Sequence, residues 1–281
     1  LFTLLIAKAK QHENILMPGY THFQVAMPSS FGLWFSAYAE SLIDDIILLN
    51  AASQISDQNP LGSAAGYGSS FPIDRQHTTH ELGFSTLKYN SVAAQMSRGK
   101  TEKATAFAIA SLAGTLSKLS MDICLYLSQN FNFISLPLHL TTGSSIMPHK
   151  KNPDLFELIR GRCNKIQALP NEIMLITNNL PSGYHRDFQI LKEGLFPAIQ
   201  AIKSCLEVAL YSIPEIKVNK DILEDKNYEH LFTVDSINNM VVAGIPFREA
   251  YKVVGEQLEN GSYTSPKSTI HTHEGSINNL C

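Results

Sequence analysis

The sequence predicts an all-α fold, in which a bundle of long helices is followed by a small helical C-terminal domain. Apolar residues recur at helical spacing over residues 28–55 and 100–129, with no strong breaker inside either run. Helical patterns return over residues 153–179 and 188–211. Because the chain is 44% hydrophobic and only 17% charged, we expect self-association to cover much of the surface of these segments.

The composition of the chain changes after residue 213, where charged and polar residues become more frequent. We therefore predict a central helical bundle domain over residues 1–213 and a small helical C-terminal domain over residues 214–281. The tail from Gly261 onward has no amphipathic period, so we expect it to be disordered at least in part. Two shorter helices are predicted in the second domain, at residues 233–243 and 246–260.

The net charge and the cysteine spacing indicate which partners the protein could bind and in which compartment it works. A formal net charge of -3 and a pI near 6.4 give no electrostatic reason to expect nucleic acid or an anionic membrane as partner. The four cysteines form no C-x-x-C pair, which favours reduced thiols and a cytoplasmic location. Lys118 and Asp122 interrupt the most apolar stretch, which therefore predicts a buried helix and not a membrane span.

Residues 143–153 concentrate small, cationic and amide groups in a turn-prone loop ahead of a predicted helix, and we take residues 140–153 as the candidate catalytic loop. Gly143 allows close approach of the backbone to a ligand, and Asn152 and Pro153 predict an N-cap followed by the first helical residue. Such a loop can hold an anion. Glu157 lies one turn into the helix that follows.

Two further segments carry groups that are capable of chemistry. Residues 17–24 predict a breaker-rich turn between two helices, and this turn bears a histidine that could exchange a proton near neutral pH. Residues 180–193 predict a turn that leads into a helix, with Gln189 and Lys192 on one face. Taken singly, the first segment is typical of a structural histidine and the second of a solvated first turn.

Taken together, the segments resemble known lyases. Residues 143–153 are similar to the signature of the fumarase and aspartase superfamily. Four further motifs resemble those of the argininosuccinate lyase branch, and they lie at residues 17–24, 59–63, 71–75 and 184–193. The resemblance runs from the start of the chain to about Gly261.

The resemblance implies a fold, a reaction and an assembly. The fold is a central bundle of long helices that joins four subunits, and each active site takes segments from three of them. The reaction is a reversible elimination of argininosuccinate to arginine and fumarate, with no metal or organic cofactor. The N-terminal domain of the family has no counterpart here and the chain opens within a helical pattern, so we expect a fragment that is inactive alone.

The resemblance also implies roles for individual residues. Ser144 is the base, and since a serine hydroxyl is a poor base, Lys150 and the amides of the loop are expected to stabilise its alkoxide. His22, held by Glu157, supplies a proton or a hydrogen bond to the leaving nitrogen. The residues implied in substrate binding are Thr21, Asn152, Tyr184, Gln189 and Lys192.

Two alternatives stay open. His149 stands where the branch usually has glutamine, and a histidine there resembles adenylosuccinate lyases. Some members of the superfamily serve as lens proteins without turnover, although the presence of the implied catalytic residues favours an enzyme.

The paired histidines His77 and His80, like His271 and His273, lack the further ligands that a metal site needs.

Overall fold

The computed structural model describes residues 1–266, 269 and 271–280, and helices account for most of its regular structure. The α-helices are α1 Phe2–Gln11, α2 Phe31–Ser56, α3 Arg75–Glu81, α4 Ser91–Met96, α5 Lys100–Tyr126, α6 Asp154–Ile166, α7 Leu169–Ile176, α8 Leu191–Ser212, α9 Thr233–Val242 and α10 Phe247–Glu259. The short strands are β1 Leu16–Thr21, β2 Gln24–Ser30, β3 Gln58–Asn59, β4 Thr86–Leu87, β5 Ile134–Ser135 and β6 Lys217–Val218. The predicted all-α fold class is confirmed.

The chain separates into two compact units. The first consists of Leu1–Ala39, Leu125–Pro137 and the described residues from Pro214 onward. The second consists of Glu40–Cys124 and Leu138–Ile213. The division into domains at residues 213 and 214 stays a prediction.

The core of the second unit is built from heptad-like rows of apolar residues. The buried residues of α6 are Phe156, Ile159, Cys163 and Ile166, spaced alternately by three and four, and α8 packs against this helix. Polar contacts at the margin of the core tie α5 to α6, since the Ser117 hydroxyl donates to Asn164 Oδ1 over 2.6 Å. One row on α5 has the same spacing, formed by Ala106, Ile109, Ala113, Leu116, Ser120 and Ile123.

The predicted long helices exist, but their ends differ from the prediction. Helix α2 begins at Phe31 and not at Pro28, because residues up to Ser30 belong to a strand. Helix α5 ends at Tyr126, where the chain reverses and Phe133 N–H donates to the Tyr126 carbonyl over 2.9 Å. By length and composition α5 could cross a membrane. Core helices of proteins share this length and composition, and 44% of the most apolar stretch of α5 is buried.

The helical run predicted over residues 153–179 is two helices. Pro170 lies in the first turn of α7, and a proline has no N–H with which to continue the hydrogen bonding of α6. The run predicted from residue 188 begins as a 3-10 turn at Arg186–Gln189, and α8 follows from Leu191. The two predicted C-terminal helices are confirmed as α9 and α10.

The segment predicted as a turn between two helices is instead a β-hairpin, so this prediction was wrong. Strands β1 and β2 pair antiparallel, with Pro18 opposite Pro28, and the register shifts between Pro18 and Tyr20. A two-stranded ladder has two free edges, which tolerate prolines. At the shift, a Cβ on Gly19 would lie 2.7 Å from the Met27 carbonyl oxygen, so a close backbone approach requires glycine there.

An aromatic cluster forms the core of the first unit. Phe133 is fully buried and its ring centroid lies 5.1 Å from that of Tyr126 and 5.3 Å from that of Phe131. Described residues of the C-terminal tail also pack in this unit, and the expectation of partial disorder in the tail stays a prediction. Ile277 is 1% exposed, and the Thr269 hydroxyl donates to the Asp235 carboxylate.

His12, which follows α1, should make stability depend on pH. Burial, reinforced by the charges of Lys8 and Lys220, lowers the pKa of His12 below its ordinary value of 6.5. The unfolded chain therefore takes up a proton that the native state refuses as the pH falls below 6.5. We expect stability to fall over that range by up to about 1.4 kcal/mol per pH unit, measured by urea unfolding.

The matched variants are His12→Gln and His77→Gln, because His77 is an exposed histidine. His12→Gln should flatten the dependence of unfolding free energy on pH, whereas His77→Gln should leave it as in the parent. Equal slopes for the parent and His12→Gln would refute the assignment.

Candidate active site

The loop predicted to carry the chemistry is closed at its base by a backbone pair. Thr142 N–H donates to the Asn152 carbonyl over 3.2 Å, and Asn152 N–H donates to the Thr142 carbonyl over 2.8 Å. Residues 143–151 therefore form a loop whose two ends are hydrogen-bonded to each other. Inside the loop, Lys150 N–H donates to the Met147 carbonyl over 3.0 Å.

The hydroxyl oxygen of Ser144 accepts hydrogen bonds from two backbone amides. The donors are Met147 N–H at 3.2 Å and Ile146 N–H at 3.4 Å. Hydrogen bonds to an oxygen that can become anionic favour its anionic form. Ser144 is half-buried, whereas the neighbouring Ser145 is exposed. The arrangement is a serine turn whose two amides would favour the loss of a proton from the hydroxyl.

Asn152 and Pro153 do not begin the helix as the sequence predicts. Pro153 takes the N-cap position of α6 with no side-chain capping bond, and the first helical residue is Asp154. The Asn152 side chain instead donates to the Thr142 hydroxyl at 3.3 Å and to the Gly143 carbonyl at 3.4 Å. The Thr142 hydroxyl donates to the Asp154 carboxylate over 2.5 Å. These bonds join the closure of the loop to the start of α6.

The charged groups around this loop face solvent. Lys150 and His149 are exposed within the loop, and Glu157 is exposed in the first turn of α6. One nearby nucleophile is disfavoured. Burial raises the pKa of the Cys124 thiol to about 11. The charge of Arg160 lowers this pKa by a smaller amount and that of Glu157 raises it, so the thiol stays protonated near neutral pH.

Three of the predicted binding residues form a hydrogen-bonded chain at the start of α8. The Gln189 amide donates to the Tyr184 hydroxyl over 2.7 Å, and Lys192 Nζ donates to Gln189 Oε1 over 3.0 Å. All three side chains are exposed. These two hydrogen bonds bring an amide, a phenol and an ammonium together, a set of groups that suits the recognition of a carboxylate.

The sequence analysis did not identify Arg98, which contacts Phe188, the residue before Gln189. Its guanidinium donates to the Phe188 carbonyl over 3.2 Å and lies 5.7 Å from the centre of the Phe188 ring. Arg98 also pairs with Glu102 at 3.0 Å, and Glu102 accepts from Gly99 N–H at the start of α5. The spacing of Arg98 and Glu102 by four was a signal in the sequence.

Thr21 and His22 lie in the other unit, at the tip of the hairpin. Both side chains are exposed. His22 and Phe23 form the two-residue turn with φ values of 54° and 58°, a left-handed conformation in which turns usually place Asn-Gly. Sparsely populated backbone conformations of this kind concentrate at functional sites, and the sequence gives no sign of this one.

Within the described ranges, no group of three or more His, Cys, Asp or Glu side chains is placed to hold a metal ion. The loop at residues 143–151 offers a serine with amide donors and a lysine, and the start of α8 separately offers a lysine and a hydrogen-bonded amide. These are groups for binding anions and moving protons.

Known proteins resemble this chain over its full length. A curated argininosuccinate lyase of Phocaeicola vulgatus is 58% identical over 281 residues, which are 100% of this chain and 63% of that protein. The argininosuccinate lyase of Parabacteroides distasonis is 60% identical over the same shares. The chain thus spans 63% of the length of these relatives.

Solved structures share the fold. An EDDS lyase in complex with formate matches with a TM-score of 0.81 at 25% identity, over 92% of this chain and 53% of that one. A class II fumarase from Schistosoma mansoni matches with a TM-score of 0.79 at 17% identity, over 92% of this chain and 58% of that one. A family model described as lyase matches residues 1–168, which is more than half of the chain, and the chain belongs to that lyase family.

Proposed function

We propose that the protein catalyses the reversible elimination of argininosuccinate to arginine and fumarate. The identity of 58–60% to argininosuccinate lyases over the whole chain supports this substrate. The observation that carries the chemistry is the pair of amide donors on the Ser144 hydroxyl oxygen. That arrangement serves a reaction that begins with the removal of a proton from carbon.

The first step removes a proton from the carbon beside a carboxylate of the succinyl part. Ser144 takes this proton as its alkoxide, which the two amides and the Lys150 ammonium stabilise. The electron pair left behind spreads into the neighbouring carboxylate, so positive groups near that carboxylate lower the barrier. Lys150 lies in the same closed loop as Ser144, which limits the distance between the two groups.

The second step breaks the bond between the succinyl carbon and the guanidino nitrogen. The electron pair on carbon forms the double bond of fumarate, and the departing nitrogen receives a proton or a strong hydrogen bond to leave as arginine. We assign that role to His22, with Glu157 as the carboxylate that orients its ring. The assignment follows from the motif that the chain shares with argininosuccinate lyases.

Five residues are proposed to hold the substrate. Tyr184, Gln189 and Lys192 form the hydrogen-bonded chain described above, and Lys192 is the natural partner of a substrate carboxylate. Asn152 stands at the closure of the catalytic loop, and Thr21 precedes His22 at the tip of the hairpin.

We propose a cytoplasmic homotetramer in which each active site takes segments from several subunits. Exposed apolar side chains on α2 support an assembly, since Ile43, Ile46, Ile47 and Leu48 are each at least 45% exposed. A helical bundle shared between subunits would cover them. No metal or organic cofactor enters the proposed mechanism, because the groups above supply the base, the acid and the charge stabilisation.

One residue favours a second substrate. His149 resembles adenylosuccinate lyases, and adenylosuccinate carries the same succinyl group on a different nitrogen. A structural role without turnover is the remaining alternative. Assays with both substrates separate these possibilities.

Ser144→Ala in the full-length protein should lower kcat/KM for argininosuccinate by roughly a thousandfold, because the general base is lost. Fumarate release, followed by its ultraviolet absorbance, measures the effect. Ser145→Ala is the matched control, since it removes the neighbouring exposed hydroxyl. It should stay within a few-fold of the parent.

An unchanged rate in Ser144→Ala would sink the assignment of the base. Cleavage of adenylosuccinate in preference to argininosuccinate would establish the rival substrate. A folded parent that cleaves neither compound would favour the structural role.

Gln189→Leu breaks the chain from Tyr184 to Lys192 and should raise KM for argininosuccinate by about tenfold, with a smaller change in kcat. The reason is that Lys192 and Tyr184 lose the amide that orients them for binding. Gln200→Leu is the control, because Gln200 is an exposed glutamine on the helix α8 that follows Gln189. Equal KM values for the two variants would contradict the proposed binding role.

A further inference from the structure

The segment that connects α7 to α8, residues 177–189, contacts the start of α5 at both of its ends. At the first end, a Cβ on Gly99 would lie 2.5 Å from the Thr177 methyl carbon, so the two backbones approach closely. At the second end, the Arg98 guanidinium donates to the Phe188 carbonyl over 3.2 Å. Two adjacent residues therefore fix where this segment begins and ends.

The forked guanidinium of Arg98 forms a bridge between two elements. Its Nε donates to Glu102 over 3.0 Å, while another of its nitrogens reaches Phe188. The second oxygen of Glu102 accepts from Gly99 N–H over 2.7 Å. An ion pair with a spacing of four and a capped amide are sufficient for a helix start. The bond to Phe188 is an additional contact, which the start of α5 does not need.

This contact reaches the proposed binding residues through one peptide group. The Phe188 carbonyl and the Gln189 N–H belong to the same planar unit, so a bond that fixes the carbonyl also fixes the backbone of Gln189. The Phe188 ring is 5% exposed, and its centre lies 5.7 Å from the Arg98 guanidinium carbon and 6.4 Å from the centre of the Tyr184 ring. Arg98 thus adjoins both the peptide and the ring that support the binding groups.

We propose that Arg98 is a positioning residue for substrate binding, which acts through the Phe188 carbonyl on Gln189. Gln189 passes this order on to Tyr184 and Lys192, its two hydrogen-bond partners. Arg98 itself does not touch the substrate. The proposal rests on the function proposed above, in which these three side chains bind argininosuccinate.

The role predicts which kinetic constant changes. Without the bridge, the 3-10 turn Arg186–Gln189 has to be ordered by the substrate as it binds, which weakens binding. Proton removal by Ser144 takes place in a different loop, and the bridge does not contact it. We therefore expect the loss of Arg98 to raise KM more than it lowers kcat.

Arg98→Met keeps an apolar stem and removes both bonds of the bridge. In the full-length protein it should raise KM for argininosuccinate by about tenfold, with a smaller change in kcat. Lys100→Met is the matched control, because it removes an exposed cation at the first position of α5. Equal increases of KM in the two variants would show that positive charge matters and not the bridge, and would overturn the proposal.

The combined variant Arg98→Met with Gln189→Leu tests whether Arg98 acts through Gln189. If it does, the second change removes nothing further, and KM should stay about tenfold above the parent. Independent effects would multiply to about a hundredfold and would contradict the proposed route. A general loss of folded protein would lower the apparent kcat of Arg98→Met and leave KM unchanged, which would also contradict it.

Hydrogen exchange provides a measurement that does not depend on the substrate. Ile190 N–H donates to the Asp187 carbonyl over 3.1 Å within the turn that Arg98 contacts. Exchange at Ile190, followed by mass spectrometry, should be faster in Arg98→Met than in the parent and in Lys100→Met. Equal exchange in all three proteins would overturn the positioning role even if argininosuccinate is cleaved. A parent that does not cleave argininosuccinate would remove the proposed function instead, and exchange at Ile190 would still decide whether Arg98 orders the turn.

Discussion

The burial of one apolar row on each of the helices α6 and α8 is the constraint from which the geometry of the second unit follows. On α6 the row begins at Phe156, which is 1% exposed, so the next residue, Glu157, must point to solvent. On α8 the row begins at Leu191, and Lys192 is turned outward in the same way. Burying a side chain as large as Phe156 stabilises the fold by roughly 1.5–3 kcal/mol. The core thus orients a proposed catalytic residue and a proposed binding residue that take no part in it.

The candidate catalytic loop draws its order from backbone hydrogen bonds and not from burial. The pair between Thr142 and Asn152 fixes both ends of the loop, and the Ser144 hydroxyl uses amides two and three residues ahead. Because these donors already point at the oxygen, the formation of negative charge there requires little reorganisation. An exposed loop can therefore offer a prepared oxygen without a surrounding core.

The sequence predicted the parts of this protein that depend on local pattern and missed those that depend on distant contacts. The long helices were predictable because their apolar spacing is long and regular. The hairpin was not predictable, because Pro18 and Gly19 are typical of a turn when the sequence is considered alone. Only the pairing with β2 shows that Pro18 is tolerated at a free strand edge and that Gly19 is required by the close approach of the opposite backbone. Gln189 and Lys192 were predictable as neighbours from their spacing of three, although Gln189 lies in the 3-10 turn before α8 and not on the helix itself. The contact between Arg98 and Phe188 joins residues 90 positions apart in the sequence. Its only local sign was the spacing of Arg98 from Glu102, which predicts their ion pair and not the contact with Phe188.

The backbone at the tip of the hairpin is strained, and contacts within the chain do little to offset the free-energy cost of that strain. His22 and Phe23 both adopt left-handed backbone conformations, each of which costs on the order of 1–3 kcal/mol for a residue other than glycine. Phe23 is 78% exposed, so packing within the chain gives little in return. A glycine would relax the turn, but at position 22 it would remove the imidazole. Under the proposed assembly the offset comes from outside the chain, because a site shared between subunits would bury the tip against a neighbour and place His22 where the leaving nitrogen needs it.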